Sequence, residues 1–189
     1  MARLDRIKGI LLAPKGEWPK IAAEPDTVQG LYTGWIMILA AIGPLAMLLG
    51  MGQLGMAYGV RLAVMSYVNH LVGVAVIALI VDQLAPTFGG RKDFLASLKL
   101  VAYSFTAVWI AQITWLLPPL AMIVMLLAAI YAFYTFFLGA PVLARCSNDK
   151  AVVFTIVVLL CAIVLLYIVQ RVIYGFNMPG TGMGPRFSL

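Results

Sequence analysis

The side chain best suited to proton or ligand chemistry is His70, the only histidine among the 189 residues. It lies inside a long apolar run, directly after Asn69. Gln112, on a later and antiparallel apolar run, is expected at a similar depth. Polar side chains within a membrane segment are functional candidates because their burial is costly. The sequence therefore predicts a hydrogen-bonded cluster of Asn69, His70 and Gln112. This cluster is either a proton or substrate site, given an imidazole pKa of about 6.5, or a set of hydrogen bonds between helices.

A second pair of polar residues, Asp82 and Lys99, lies at the ends of two consecutive apolar runs. We expect them to form an ion pair across the hairpin, with Arg91 or Lys92 as alternative partners for the carboxylate. Charges near a membrane surface can reach water by extending their side chains. A structural contact is therefore the favoured interpretation of this pair.

Other kinds of reactive site are not indicated. One histidine cannot supply a multi-histidine metal or haem site within the chain, and Cys146 and Cys161 lack metal or redox spacing. No glycine-rich phosphate loop, catalytic carboxylate pair or serine–histidine–acid set occurs. We therefore predict a protein without enzymatic activity, bound metal or cofactor. The net charge of +6 is placed at the edges of the apolar runs and forms no basic stripe, which argues against nucleic-acid binding.

Five apolar runs must position these residues. With 63% hydrophobic residues and a mean hydropathy of +1.02, the chain falls outside the range of soluble domains. Each run approaches the roughly 20 residues that a helix needs to cross a hydrocarbon core of about 30 Å. The runs are approximately Leu31–Leu49, Leu62–Val81, Leu95–Leu117, Leu120–Val142 and Ala151–Val172. The predicted fold is an all-α, polytopic transmembrane bundle of five spans with a short N-terminal amphipathic helix, and Pro44 should kink the first span.

The basic residues predict an orientation. With the N-terminus inside, ten lysines and arginines lie in inner segments and three in outer ones. The positive-inside rule then places the N-terminus in the cytoplasm and the C-terminus in the periplasm of a bacterial inner membrane. The expected organisation is a cytoplasmic segment (1–28), a membrane domain (29–174) and a turn-rich tail (175–189).

The N-terminal segment has the pattern of a helix at a membrane surface. Leu4, Ile7 and Leu11 share one helical face, Pro14 ends the helix, and Trp18 suits the headgroup region. These four apolar residues are the candidate interfacial anchor. Packing of the segment beneath the bundle is the alternative.

The order of these features resembles the Yip family, named for proteins that interact with Ypt/Rab GTPases, and in particular its bacterial branch. The stretches that carry the resemblance are Arg6–Pro14 with Glu17, Trp18 and Ile21–Glu24, the segment from Phe88 to Gly90 with Phe94 and Leu98–Tyr103, and Tyr131–Leu138 with Lys150 and Ala151. The resemblance implies a five-helix integral membrane domain without catalytic residues. Its eukaryotic relatives act in vesicle traffic, membrane shaping and recruitment of small GTPases, with cytosolic N-terminal regions longer than the 28 residues that precede the first span here.

Two functional hypotheses follow. The first is a non-enzymatic scaffold or accessory component that works through membrane lipids, self-association as a homo-oligomer, or a larger membrane protein complex. The second is a small oligomeric transporter or channel that uses the Asn69–His70 region.

Overall fold

Helix is the expected secondary structure of each apolar run, because only a helix satisfies every backbone group of a single segment in lipid. A computed structural model describes residues 3–51 and 56–175 and confirms the all-helical fold. Within these ranges five helical segments are long and apolar enough to cross a membrane: Val28–Gly50, Gly59–Phe88, Phe94–Leu116, Pro119–Leu143 and Asp149–Val169. They are called the first to fifth spans below. The predicted tail beyond residue 175 lies outside the described residues.

The second to fifth spans are built from long helices or from helices in series. The elements are α6 (Met56–Leu84), followed by a 3-10 turn (Ala85–Phe88), then α7 (Phe94–Ser104), α8 (Thr106–Ala111) and a 3-10 turn (Gln112–Leu116), then α9 (Pro118–Leu143) and α10 (Asn148–Gly175). The third span is the centre of the bundle, because 61% of its most apolar 18-residue stretch is buried, against 22–39% of the corresponding stretch in each of the other spans. Polar residues on the third span are therefore the ones that other helices can reach from several sides.

The first span is broken at its middle. It consists of α3 (Val28–Leu31), a π-helical turn (Tyr32–Ile36), α4 (Met37–Ala40) and α5 (Ile42–Met51). The break at Ala41 precedes Pro44, which has no N–H to donate to the Ala40 carbonyl. The kink expected from Pro44 is present, and it leaves backbone carbonyls that neighbouring spans can bind.

The N-terminal segment forms two helices, α1 (Arg3–Leu12) and α2 (Pro14–Ala23), which we call the cap. The cap packs under one end of the bundle, with α2 against α9 and α1 against α8. Ile10, Trp18 and Ile21 are fully buried there. Of the two placements considered for this segment, the structure has the one beneath the bundle.

One of the four predicted anchor residues, Trp18, therefore needs correction. Trp18 does not lie among headgroups, because its side chain is buried and packs at Gly139, where a Cβ would lie 2.6 Å from the indole. Leu4 faces outward with 70% of its surface exposed. Ile7 and Leu11 are half-buried. The predicted apolar face of α1 is therefore partly covered by the rest of the protein and partly exposed.

Candidate functional site

The buried contact of the predicted polar cluster joins the second and third spans. The His70 Nε2 and Gln112 Nε2 atoms are 3.1 Å apart, and Gln112 is buried. Because the amide nitrogen can only donate, the imidazole Nε2 accepts, and a neutral ring then carries its proton on Nδ1. His70 Nδ1 and Gln112 Oε1 have no hydrogen-bond partner among the described residues.

The first span completes this contact at its broken segment. The Ala40 carbonyl, left without an N–H by Pro44, faces the His70 ring. Gly43 allows the close approach of the first and third spans, since a Cβ at this position would overlap the Gln112 side chain. His70 thus lies beside the broken segment of the first span, near a carbonyl that lacks a helical partner.

Two tyrosine hydroxyls also connect the first and second spans, each by a hydrogen bond to a backbone carbonyl of the other span. The Tyr67 hydroxyl donates to the Met37 carbonyl (3.1 Å), just before the break at Ala41. The Tyr32 hydroxyl, from the π-helical turn, donates to the Leu71 carbonyl (2.9 Å) of the second span. Together with His70, these contacts indicate that polar side chains here serve to hold a kinked helix against its neighbour.

Asn69 takes no part in the His70–Gln112 contact. Its side chain is partly exposed, and within the described residues no hydrogen bond joins it to either side chain. Adjacent residues of a helix point about 100° apart, which explains why only one of the pair faces the third span. The structure therefore brings together two of the three predicted cluster residues.

The predicted ion pair between Asp82 and Lys99 is wrong. Lys99 is buried, and its ammonium donates to the main-chain carbonyls of Ile21 (3.1 Å) and Glu24 (2.6 Å) in the cap. Asp82 is also buried, with Oδ1 unpartnered among the described residues and Oδ2 at 3.5 Å from Gln83 Nε2. Lys92, considered as an alternative partner, donates instead to Gln83 Oε1 (2.5 Å).

The carbonyls that Lys99 binds lie at the C-terminal end of α2. The last carbonyls of a helix have no intrahelical donor, and a cation there also interacts favourably with the helix dipole. The end of α1 is bound in a similar manner, since the Tyr131 hydroxyl contacts the carbonyls of Ile10 (3.0 Å) and Leu11 (2.9 Å). Side chains from the bundle thus cap the C-terminal ends of both cap helices.

The two cap helices are joined by an ion-pair network that the sequence analysis missed. The Arg6 guanidinium is only 4% exposed and bonds Glu17 (2.7 Å) and Glu24. Glu17 also pairs with Lys20 (2.5 Å). Arg6 lies four residues before Ile10 in α1 and shares its buried face. Glu17 and Glu24, seven residues apart after Pro14, are the sequence signal from which a buried partner for Arg6 could have been suspected.

The outward surface of the cap is basic and apolar. Leu4 and Leu12 are 70% and 82% exposed, and Lys8 and Lys15 are exposed beside them. Because Glu17 and Glu24 are turned toward Arg6, the cap presents its basic residues outward while two of its carboxylates are used internally. This surface combines the two properties that favour contact with a lipid headgroup region or an acidic partner.

The described residues hold no group of three or more histidine, cysteine, aspartate or glutamate side chains that could bind a metal ion. Cys146 is a buried free thiol between the fourth and fifth spans, and burial raises its pKa. A protonated thiol is a poor nucleophile. We find in the described ranges no arrangement of a nucleophile with an acid–base partner.

Comparison with known proteins identifies the kind of membrane domain. The family model described as the Yip1 domain matches residues 8–169. The chain is 24% identical over 166 residues to the inner membrane protein YohC of Escherichia coli strain K12, covering 80% of this chain and 85% of that protein. The same values hold for YohC of the Escherichia coli O6:H1 strain. No solved structure matches the chain. With a matched region that extends from the first cap helix to the end of the fifth span, the chain belongs to the Yip1 domain family.

Proposed function

We propose that this protein is a non-enzymatic scaffold or accessory component of a bacterial inner membrane, acting through the outer surface of its cap. The observation that carries the proposal is the exposure of Leu4 and Leu12, beside exposed lysines, on a cap that is fixed to the bundle by buried contacts. A rigid platform with an exposed apolar and basic face is what recognition of a lipid surface or a membrane protein partner requires.

The proposed orientation places the cap in the cytoplasm and the C-terminus in the periplasm. Ten of thirteen basic residues then lie on the cytoplasmic side. The similarity to an inner membrane protein of Escherichia coli supports this compartment.

Purification from native membranes tests the proposed role. Tagged full-length protein is extracted in mild detergent, and its intact assemblies are weighed by mass spectrometry. We expect a stoichiometric self-assembly or foreign subunit that is lost from the Leu4→Glu/Leu12→Glu variant. The matched control is Met56→Glu, which places the same kind of charge on an exposed residue that precedes the second span. Equal retention of subunits by wild type and the cap variant would contradict the proposal.

A transporter or channel is the second candidate function. The observation that favours it is the presence of two unpartnered polar atoms, His70 Nδ1 and Gln112 Oε1, inside the bundle. A flux assay in liposomes with His70→Ala as the control separates the two functions. Solute or proton flux that depends on His70 would establish transport, whereas equal passive leak in both proteins supports the scaffold.

A further inference from the structure

A cavity lies between the cap and the first span. Its volume is about 150 Å³, and it is lined by residues of α1, of the connection after α2, and of the first and third spans. The lining side chains include Arg3, Arg6, Glu24, Asp26, Trp35 and Tyr103. An apolar cavity of about 150 Å³ holds a benzene molecule. This cavity therefore accommodates a small polar group of about six heavy atoms, and a somewhat larger one if part of it projects outward.

The walls of the cavity have an unfulfilled hydrogen-bonding group. Trp35 is 5% exposed, and its Nε1 has no partner among the described residues. A buried donor left without an acceptor is destabilising. Trp35 belongs to the π-helical turn of the first span, and π-helical turns occur frequently at functional sites. Trp35 therefore lines the cavity from an irregular turn of the first span.

Glycine keeps this wall of the cavity open. Gly34, next to Trp35, has nothing within 4 Å of the position that a Cβ would take. A larger side chain at this position would enter the cavity without overlapping backbone. Glycine within a helix is otherwise unfavourable relative to alanine, so the open space has an energetic cost in the unliganded protein.

The charges of the lining are balanced but not all paired. Arg6 is bonded to two glutamates, as described above. Arg3 and Asp26, in contrast, form no ion pair with any residue that the structure describes, and Asp26 Oδ1 accepts only from the backbone N–H of Thr27 (2.7 Å). One guanidinium and one carboxylate therefore remain at the same cavity for a ligand that carries both signs of charge.

We propose that this cavity binds a phosphate–ammonium headgroup, such as that of an aminophospholipid. Arg3 would bind the phosphate, because a guanidinium matches phosphate oxygens with two parallel hydrogen bonds. Asp26 would bind the ammonium, beside the aromatic pair of Trp35 and Tyr103, whose ring centroids are 4.7 Å apart. The cavity lies at the beginning of the first span, where a bilayer places its headgroups.

This inference extends the lipid contact of the proposed function and can fail separately from it. The proposed function depends on Leu4 and Leu12 on the outer face of the cap, whereas the cavity depends on Arg3, Asp26 and Gly34. Loss of lipid binding in a cavity variant that still assembles would leave the scaffold role standing. Loss of assembly with lipid binding retained would do the reverse.

The test is lipid binding to the delipidated full-length protein, measured by native mass spectrometry. Phosphatidylethanolamine, phosphatidylcholine and phosphatidylglycerol with identical acyl chains are added in separate titrations. Phosphatidylglycerol has the phosphate without an ammonium, and phosphatidylcholine has an ammonium without N–H donors. A charge-assisted hydrogen bond contributes enough for about a tenfold change in affinity. We expect the first lipid bound to be phosphatidylethanolamine, about tenfold tighter than either competitor.

Three variants assign the site. Asp26→Asn, which keeps the oxygen that accepts from Thr27, should weaken phosphatidylethanolamine about tenfold and leave phosphatidylglycerol unchanged. Arg3→Gln should weaken both lipids, and Gly34→Leu should remove one bound lipid. The matched control is Gly73→Leu, because Gly73 also has nothing within 4 Å of its Cβ position but lies in the second span.

Equal binding of the three lipids by wild type, or unchanged binding by Gly34→Leu in a protein that remains folded, would overturn the proposal. Free phosphoethanolamine distinguishes the sources of the headgroup. If free phosphoethanolamine displaces the lipid at equimolar concentration, the cavity binds a soluble ligand with the same phosphate and ammonium groups. If the lipid stays bound under that condition, the ligand of the cavity is a membrane lipid.

Discussion

Arg6→Gln is expected to separate the two helices of the cap from each other. The Arg6 guanidinium is 4% exposed and is bonded to Glu17, whose side chain is 7% exposed, and to Glu24, which is 44% exposed. Removing one partner from a buried ion pair costs about 3–5 kcal/mol, because the other charge is left uncompensated. Lys20 still pairs with Glu17, and Glu24 can return to water. The expected cost is therefore at the lower end, about 3 kcal/mol.

Hydrogen exchange in detergent micelles measures this loss as local opening of the cap helices. About 3 kcal/mol corresponds to an increase of roughly a hundredfold in the exchange of protected amides in α1 and α2. The second to fifth spans should keep their protection. Lys8→Gln is the matched control, since Lys8 is exposed on the same helix and a surface substitution of this kind changes stability by less than about 0.5 kcal/mol.

A double variant separates the buried-charge explanation from a general loss of packing. Arg6→Gln/Glu17→Gln removes the uncompensated carboxylate along with its partner, so the cap should exchange more slowly than in Arg6→Gln alone. If the cap amides of Arg6→Gln exchange no faster than those of Lys8→Gln, the ion pairs of Arg6 do not hold the cap helices together. Exchange in the double variant at least as fast as in Arg6→Gln would contradict the explanation by an uncompensated charge.

Three further predictions concern other contacts. Lys99→Met should increase hydrogen exchange at the end of α2 about tenfold or more, because two carbonyls lose a charged donor; unchanged exchange there would contradict the capping role. Gly43→Ala should lower the free energy of unfolding by about 1–3 kcal/mol through overlap with Gln112, measured by denaturant titration, whereas Gly73→Ala should be neutral or stabilising. Cys146 should react slowly with iodoacetamide at neutral pH, with a rate that still rises above pH 9 because burial raises its pKa; a rate that levels off below pH 8 would be inconsistent with the buried thiol.

The five spans could be predicted from the sequence because each is encoded locally. An apolar run of about 20 residues has one stable solution in a bilayer, whatever its neighbours are. The kink near Pro44 is local in the same sense, since it follows from the missing N–H of one residue. The proximity of His70 and Gln112 could be predicted because residues were counted inward from the same membrane surface along two antiparallel spans.

The cap contacts could not be predicted in this way because they join residues far apart in the chain. Lys99 binds carbonyls 75 and 78 residues away, and Tyr131 binds carbonyls 120 and 121 residues away. Their acceptors are backbone atoms, which carry no sequence signal. Trp18 was assigned to the headgroup region because amphipathic residues are favoured there, yet Gly139 provides a space for it inside the protein. Periodicity identified the helices, and long-range packing decided which faces they bury.

We propose that this protein acts through its surfaces and that no water path reaches the interior of its bundle. The decisive measurement is the accessibility of position 70 to water. A single cysteine replaces His70 in a variant without Cys146 and Cys161, and a membrane-impermeant thiol reagent is applied from each side of oriented membrane vesicles. Leu4→Cys serves as the exposed reference. We predict rapid labelling of the reference from one side only and no labelling at position 70 from either side. Labelling at position 70 at a rate near that of the reference would show a water path through the bundle and contradict the claim.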